Sequence, residues 1–157
     1  MAGVLFVNVY NSIVDAVSWG SNIPFSIDVM RHYYFTTNPG KFFRYFSTVN
    51  QLLALLALIL FWKSSKQVRI YLAVAFLLSV LTDVFTFTYF YPRNNLLVTL
   101  PLTNISKLTE IINQWQVINW VRSAMIAVEL TFAFLGLNQF FNVQAGKRIN
   151  QNVVNVL

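Results

Sequence analysis

Residues 52–61 read Leu-Leu-Ala-Leu-Leu-Ala-Leu-Ile-Leu-Phe, an unbroken apolar run without a charge. The surrounding stretch, from about Phe42 to Trp62, is long enough for a helix that crosses a bilayer. About 20 residues rising 1.5 Å each span a hydrocarbon core of roughly 30 Å. Asn38 and Pro39 suit the N-cap and first position of that helix, where the missing proline N–H costs nothing. The stretch therefore predicts a transmembrane helix.

The composition of the whole chain indicates the same environment. Of its 157 residues, 57% are hydrophobic and only 10% are charged, whereas soluble domains carry about 25% charged residues. The mean hydropathy is +0.58. A water-soluble fold of this size would lack the charge needed to cover its surface. We therefore expect a multi-pass integral membrane protein whose main partner is the lipid bilayer.

Three further segments, at about residues 4–25, 68–91 and 118–141, have a similar length, so the chain has four predicted spans. Proline disfavours helix at the residue before it, so the third span, at about residues 68–91, is expected to end at Pro92. Short loops force neighbouring helices to run antiparallel. The predicted fold is all-α: an up-down antiparallel four-helix transmembrane bundle over residues 1–141, followed by a polar C-terminal tail over residues 142–157. A short interfacial helix over residues 103–117, separate from the last span or continuous with it, is expected before that span.

The basic residues lie at the ends of segments, which fits anchoring at lipid headgroups. The net charge is +6, but no basic face is interleaved with exposed aromatic residues, and this argues against nucleic acid as a partner. On the side of both termini the predicted topology places a dense basic cluster, comprising Lys63, Lys66, Arg69, Lys147 and Arg148. The positive-inside rule therefore predicts cytoplasmic termini.

Cysteine is absent and His32 is the single histidine. The lack of thiols excludes disulfide exchange, iron–sulfur clusters and thiolate metal sites. One histidine also argues against a multi-histidine metal or haem site. We therefore expect no metal and no cofactor.

Asp83 and Arg122 are the ionisable residues that most need an explanation inside a membrane. An ionised aspartate at a helix centre costs about 2.5–3.5 kcal/mol. Apolar neighbours, at about 0.3–0.6 kcal/mol each, offset this cost without supplying a partner. At 1.5 Å per residue, both side chains lie within about 12 Å of the same membrane face, so a guanidinium could reach the carboxylate. The sequence predicts a buried Asp83–Arg122 pair at a functional site.

Both residues belong to polar stripes at helical spacing. One stripe comprises Ser79, Thr82, Asp83 and Thr86, and the other Trp115, Asn119, Arg122 and Glu129. Asn50, Asp15 and Glu129 lie near mid-membrane. If Asp15 faces Glu129, at least one of them is expected to be protonated, because two like charges disfavour ionisation. These polar residues could instead serve only to hold the helices together, since hydrogen bonds between polar side chains commonly stabilise contacts of transmembrane helices by about 0.6 kcal/mol each.

Three short motifs, taken in order over roughly residues 15–135, resemble those of a known family. They are Gly20 with Phe25-Ser26 and Met30, leading to Asn50; Thr86 with Pro92-Arg93-Asn94 and Leu97; and Trp115 with Asn119 and Arg122. The chain resembles the anthrone oxygenase-like group of small four-helix membrane proteins. It departs from that group at Arg31, where the family usually has proline, and in its very polar first helix.

The resemblance implies oxidation of an anthrone to an anthraquinone by O2 without metal or flavin. The implied substrate is a lipophilic aromatic or quinone-like small molecule. Arg122 would bind the developing oxyanion, and Asp83 would be the base or would orient Arg122; a carboxylate locked to arginine is a weak base. The residues implied in substrate binding are Asn50, Asn94 and Asn119, which would orient the substrate, and Trp115, which would stack on it.

Two other classes of function stay open. The chain could be a non-catalytic accessory subunit of a larger membrane complex, or a binder of a small hydrophobic ligand. Ion or proton transport through Asp15, Asp83 and Glu129 is less favoured, because the four segments show no internal repeat. An enzyme predicts an apolar cavity that opens near Arg31 and Arg44 and is lined by Asn50, Asp83 and Arg122, whereas a subunit predicts a tight core with a broad apolar flank.

Overall fold

The computed structural model describes the backbone of residues 1–154 and the side chains of residues 1–146. Within that part the chain is all-helical, without a β-strand. The helices are α1 (residues 2–20), α2 (Phe25–Tyr33), α3 (Pro39–Leu60), α4 (Lys66–Thr99) and α5 (Ile105–Val154). Five-residue π-helical segments interrupt α1 at Asn11–Asp15 and α4 at Thr86–Phe90.

Three helices are long and apolar enough to cross a bilayer: Pro39–Leu60, Lys66–Thr99 and the part of α5 that runs Ile105–Gly146. The apolar run of residues 52–61 faces outward, with Leu52 61% and Leu60 68% exposed. A water-soluble protein would hide such a surface, whereas lipid covers it without cost. These helices fit a membrane protein. The first predicted span corresponds to α1, which is not among the three.

The start of α3 follows the prediction. Asn38 precedes the helix, and its side-chain oxygen accepts a hydrogen bond of 3.1 Å from the Lys41 backbone N–H. Pro39 occupies the first helical position, where its fixed φ suits the helix and no N–H is needed. This capping fixes where α3 leaves the loop after α2.

The expected end of the third span at Pro92 is wrong, because α4 continues to Thr99. The π-helical segment Thr86–Phe90 ends two positions before Pro92 and shifts the hydrogen-bond register. Pro92 therefore falls in the first turn of the α-helical stretch Tyr91–Thr99, where a missing N–H is tolerated.

The prediction of a separate interfacial helix is also wrong. The structure shows the other alternative, in which this segment is continuous with the last span. Only residues 100–104 separate α4 from α5, and α5 begins at Ile105. The same helix runs on to Val154, so the expected polar tail is helical over residues 142–154. Residues 155–157 lie outside the described part, as do the side chains of Lys147 and Arg148.

Neighbouring long helices run antiparallel. Along α4 and α5, Gly136 lies against Leu72 near one end, and Trp115 bonds Asn94 near the other. Between α3 and α4, Gln51 bonds Asp83 and Arg44 bonds Tyr91. Between α1 and α5, Asn8 bonds Ser123 and Trp19 packs on Trp115. In each pair, rising numbers on one helix meet falling numbers on the other, and α5 contacts both α4 and α1 extensively.

Candidate functional site

A cavity of about 670 Å³, called here the large cavity, lies among the helices, and all five contribute to its lining. Its volume falls within the range of about 300–1,000 Å³ typical of small-molecule sites. The basic side chains of Arg31, Lys41 and Arg44 line the part near the start of α3. Asp83 and Arg122 line its wall. A hollow is therefore present near Arg31 and Arg44, but of the three expected lining residues Asn50 is not in its wall.

Arg31 ties α2 to the end of α4 beside this cavity. Its Nε donates to the carbonyl of Leu97 at 2.8 Å, and its Nη2 donates to the carbonyl of Leu100 at 2.6 Å. Carbonyls at a helix C-terminus lack partners within the helix, and a cation there also complements the helix dipole. The departure from the family pattern at this position therefore has a structural use.

Arg122 is 4% exposed and lies between two aromatic rings, with its guanidinium carbon 4.4 Å from the ring centres of Phe43 and of Phe90. Its Nε donates to Asn8 Oδ1 at 2.7 Å, and its Nη2 also contacts that oxygen. Such stacking is favourable for a desolvated guanidinium. A cation is thereby held at a fixed place in the cavity wall.

Asp83 does not form the predicted pair with Arg122. No salt bridge joins the two side chains; instead Asp83 Oδ2 accepts a 2.6 Å hydrogen bond from Gln51 Nε2. The prediction of a contact pair is wrong because depth along the membrane does not fix which way a side chain turns. Both residues nevertheless line the same cavity, so a carboxylate and a guanidinium face one space without neutralising each other in contact.

Asn50 and Glu129 form a bond of their own, with Asn50 Nδ2 donating to Glu129 Oε1 at 2.7 Å. Neither residue lines the large cavity; both line a smaller one beside it. Asp15 lies elsewhere, in an open groove between α1 and α2. Asp15 and Glu129 therefore do not face each other.

Asn94 and Trp115 lie together in the wall of the large cavity. Trp115 Nε1 donates to Asn94 Oδ1 at 2.9 Å, which fixes both side chains. The Trp115 ring packs edge-on against Trp19 at 5.3 Å and Phe90 at 5.5 Å between ring centres. Asn94 on α4 and Trp115 on α5 thus form one hydrogen-bonded part of the wall of the large cavity.

Asn119 is completely buried and lies away from the large cavity. Its Nδ2 donates to the Asn8 carbonyl at 3.1 Å and to Ser12 Oγ at 2.7 Å. The structure therefore places Asn119 as a joint between α5 and α1, apart from the other predicted substrate-binding residues.

The family model described as anthrone oxygenase matches residues 41–131, more than half of the chain. The chain belongs to the anthrone oxygenase family. The matched region contains Asp83, Asn94, Trp115 and Arg122, while the Gly20-to-Met30 part of the resemblance precedes it. A search of curated proteins and of solved structures found no match.

In this anthrone oxygenase family member, two residues that bond the candidate catalytic side chains were not predicted from the sequence. Gln51, which bonds Asp83, is a polar side chain next to Asn50 in an apolar helix, and that position was a usable signal. Asn8, which bonds Arg122, belongs to the polar first helix, but its spacing carries no sign of a contact 114 residues away. Among the described residues, no group of three or more His, Asp or Glu side chains is placed to hold a metal ion.

Tyr34 adds a neutral donor to the lining of the large cavity. It follows α2, outside the long helices, and its ring packs edge-on to Trp19 at 6.0 Å. Burial, aided by the negative charge of Asp15, raises the pKa of Tyr34 to about 12. The phenol therefore stays protonated at neutral pH, with the Asp15 carboxylate as a hydrogen-bond partner of its hydroxyl.

Proposed function

We propose that this protein is a cofactor-independent membrane oxygenase that converts a lipophilic anthrone-type substrate into the corresponding quinone with O2. The observation that carries the proposal is the large cavity, which has Asp83 and Arg122 on its wall in a chain of the anthrone oxygenase family. Aromatic side chains line the same cavity, and flat apolar molecules suit such walls.

The reaction needs a base, a cation and oxygen, because the substrate itself is the reductant. Asp83 takes a proton from the activated methylene carbon, and the negative charge spreads over the rings to the carbonyl oxygen. Arg122 stabilises that oxyanion. The anion passes one electron to O2, and the resulting radicals combine to form a carbon–oxygen bond, giving a hydroperoxide after protonation. Loss of the second C–H proton and cleavage of the O–O bond release water and leave the new ketone.

The geometry gives the two charged groups separate tasks. Since Asp83 is bonded to the neutral amide of Gln51 and not to Arg122, it is not locked into an ion pair that would weaken it as a base. Arg122 is held from behind by Asn8 and between two rings, so it needs little reorganisation when the oxyanion forms. Asn94 and Trp115 would contact the substrate rings. Asn50 and Asn119 would support the site from behind its wall.

The topology that we propose is an up-down four-helix bundle with α1 as the fourth membrane-crossing helix and both termini in the cytoplasm. Antiparallel contacts of α1 with α5 support α1 as a member of the bundle. Its buried face carries Asn8, Asn11 and Ser12, which lowers its hydropathy while its outer face stays apolar, with Phe6 73% exposed. Accessibility of single cysteines introduced at residues 3 and 146, labelled from each side of sealed vesicles, tests this topology.

The direct test of activity uses the full chain in nanodiscs with anthrone under air. Formation of anthraquinone and consumption of O2 should proceed in equal amounts and above the rate in empty nanodiscs. Asp83→Asn should lower the catalysed rate by a factor on the order of 10² or more, because it removes the base while keeping the shape. Asp28→Asn, which changes a half-exposed carboxylate on α2, is the matched control. An Asp83→Asn variant that turns over at the wild-type rate would refute the proposed base.

The alternative of a ligand-binding protein without catalysis rests on the same cavity. Anthraquinone binding without any catalysed anthrone oxidation would favour it. An accessory subunit predicts neither binding nor turnover by the isolated chain.

A further inference from the structure

A second cavity, called here the small cavity, lies behind the wall that carries Asp83. Its volume is about 20 Å³, and nine of its twelve lining residues are polar. One buried water needs about 10–15 Å³ and two to four polar partners. The small cavity therefore suits one water molecule and nothing larger.

Thr82 supplies the strongest sign of a ligand in the small cavity. Its side-chain oxygen is buried without a hydrogen-bond partner, and the residue is only 6% exposed. The neighbouring hydroxyls of the same stripe differ, because Ser79 donates to the Phe76 carbonyl at 2.7 Å and Thr86 to the Thr82 carbonyl at 2.8 Å. A buried hydroxyl without a partner is costly, and native proteins usually satisfy it with a bound water.

Two carboxyl groups line the same small space. Asp83 is held by Gln51 at 2.6 Å and Glu129 by Asn50 at 2.7 Å, so two adjacent residues of α3 fix carboxyl groups on α4 and on α5. Asp83 lines both cavities, whereas Glu129 lines only the small one. Asp83 thus lies in the lining shared by the proposed substrate space and the small cavity, and the small cavity also holds a second carboxyl group.

We propose that the small cavity binds one water molecule that is held by Thr82 Oγ1 and links the carboxyl groups of Asp83 and Glu129. Its use as a proton route rests on the proposed function. The proton that Asp83 takes from the substrate passes from its carboxyl group to the water oxygen, while the water gives one of its own protons to the Glu129 carboxylate. The water is regenerated, Asp83 becomes anionic again and Glu129 becomes neutral, and no electron moves in this step. Because the whole reaction releases no net proton, Glu129 later returns this proton through the water to Asp83, which protonates the peroxide oxygen, and both carboxyl groups regain their starting states.

The water site is tested without any activity by crystals of the full chain grown in a lipid phase. Density for one water is expected within about 3 Å of Thr82 Oγ1. In Thr82→Val, which keeps the side-chain shape, that density should disappear. Thr88→Val, which changes an exposed hydroxyl on the same helix, should leave it in place. A dry small cavity in the wild type, in maps that show other buried waters, overturns the proposal, and so does density that is unchanged in Thr82→Val.

The proton route has its own readout in rapid-mixing kinetics with anthrone. Glu129→Gln can keep the bond from Asn50 but cannot receive the proton as a carboxylate. A proton that stays on Asp83 can return to the substrate anion before O2 reacts, so every turnover, the first included, should be slower than in the wild type by a factor on the order of 10². A wild-type rate in Glu129→Gln would overturn the relay. A wild type without turnover would instead refute the proposed function and leave the water site to the density maps.

Discussion

Arg122 donates to the side-chain oxygen of Asn8, which lies 114 positions earlier in the chain, and both residues are buried. Asn8 in turn donates to Ser123 Oγ at 2.7 Å, one residue beyond Arg122. The guanidinium that faces the large cavity is therefore positioned by a helix that precedes the matched family region, residues 41–131. In this chain, the polar character of α1 serves the site.

Asn8→Ala should destabilise the protein and weaken the site. Removal of the amide leaves buried guanidinium donors without their acceptor, at a cost of about 1–3 kcal/mol. Thermal unfolding in detergent should show a clear fall in the midpoint, and anthrone turnover should fall with it. Asn22→Ala, at an exposed position after α1, should behave like the wild type. An unchanged midpoint in Asn8→Ala would mean that Arg122 finds another acceptor.

Arg122→Leu should abolish turnover while the chain still elutes as a folded protein in detergent. Leucine retains bulk between Phe43 and Phe90 but offers no charge to a developing oxyanion, and loss of such a donor costs on the order of 10²–10³ in rate. Size-exclusion chromatography and the anthrone assay check both halves of the expectation. Arg93→Leu removes a partly exposed guanidinium from α4 and is the control. Retained activity in Arg122→Leu eliminates the oxyanion role.

Trp115→Phe should reduce the fluorescence response to a bound aromatic ligand. Trp115 and Trp19 line the large cavity, whereas Trp62 is 57% exposed at the end of α3. Titration with anthraquinone should quench the wild type through the cavity tryptophans. Quenching should be smaller in Trp115→Phe and unchanged in Trp62→Phe. If instead Trp62→Phe loses the response, the ligand binds outside the proposed site.

Gly136→Val should push α4 and α5 apart. A Cβ at Gly136 would lie 3.0 Å from Leu72 Cδ2 and 3.4 Å from Tyr71 Cβ, so the larger valine has no room without displacement of α4. Overpacking of this kind typically costs about 1–3 kcal/mol. Gly146→Val on the same helix meets nothing within 4 Å and is the matched control. Equal unfolding midpoints for the two variants would contradict the close approach.

The periodic features could be predicted because each depends on neighbours along one helix. The stripe from Ser79 to Thr86 was predicted to share one helix face, and all four of its residues line the small cavity. The cap formed by Asn38 is equally local. The end of α4 could not be predicted from Pro92, because the π-helical segment that accommodates the proline has no simple sequence signal.

Partners across helices could be predicted only in part. The estimated depths in the membrane predicted that Asp83 and Arg122 lie near each other, and both line one cavity. Depth alone could not show that Gln51, rather than Arg122, is the hydrogen-bond partner of Asp83. Likewise, Asn119 has the spacing of a site residue, yet its rotation on α5 directs it to Ser12 on α1. Rotation about a helix axis depends on packing with other helices, and spacing within one helix does not fix it.

By itself the sequence determined that lipid surrounds this protein, that it is all-helical, which family it resembles and which residues need polar partners. Hydrophobicity and helical period are properties of local stretches, so they survive without knowledge of the fold. Only the tertiary structure decided that Asn8 holds Arg122, that Gln51 holds Asp83, and that two cavities share the Asp83 wall. Those features depend on how helices far apart in sequence are rotated and packed, because hydrogen bonds form between the side chains that packing brings within about 3 Å.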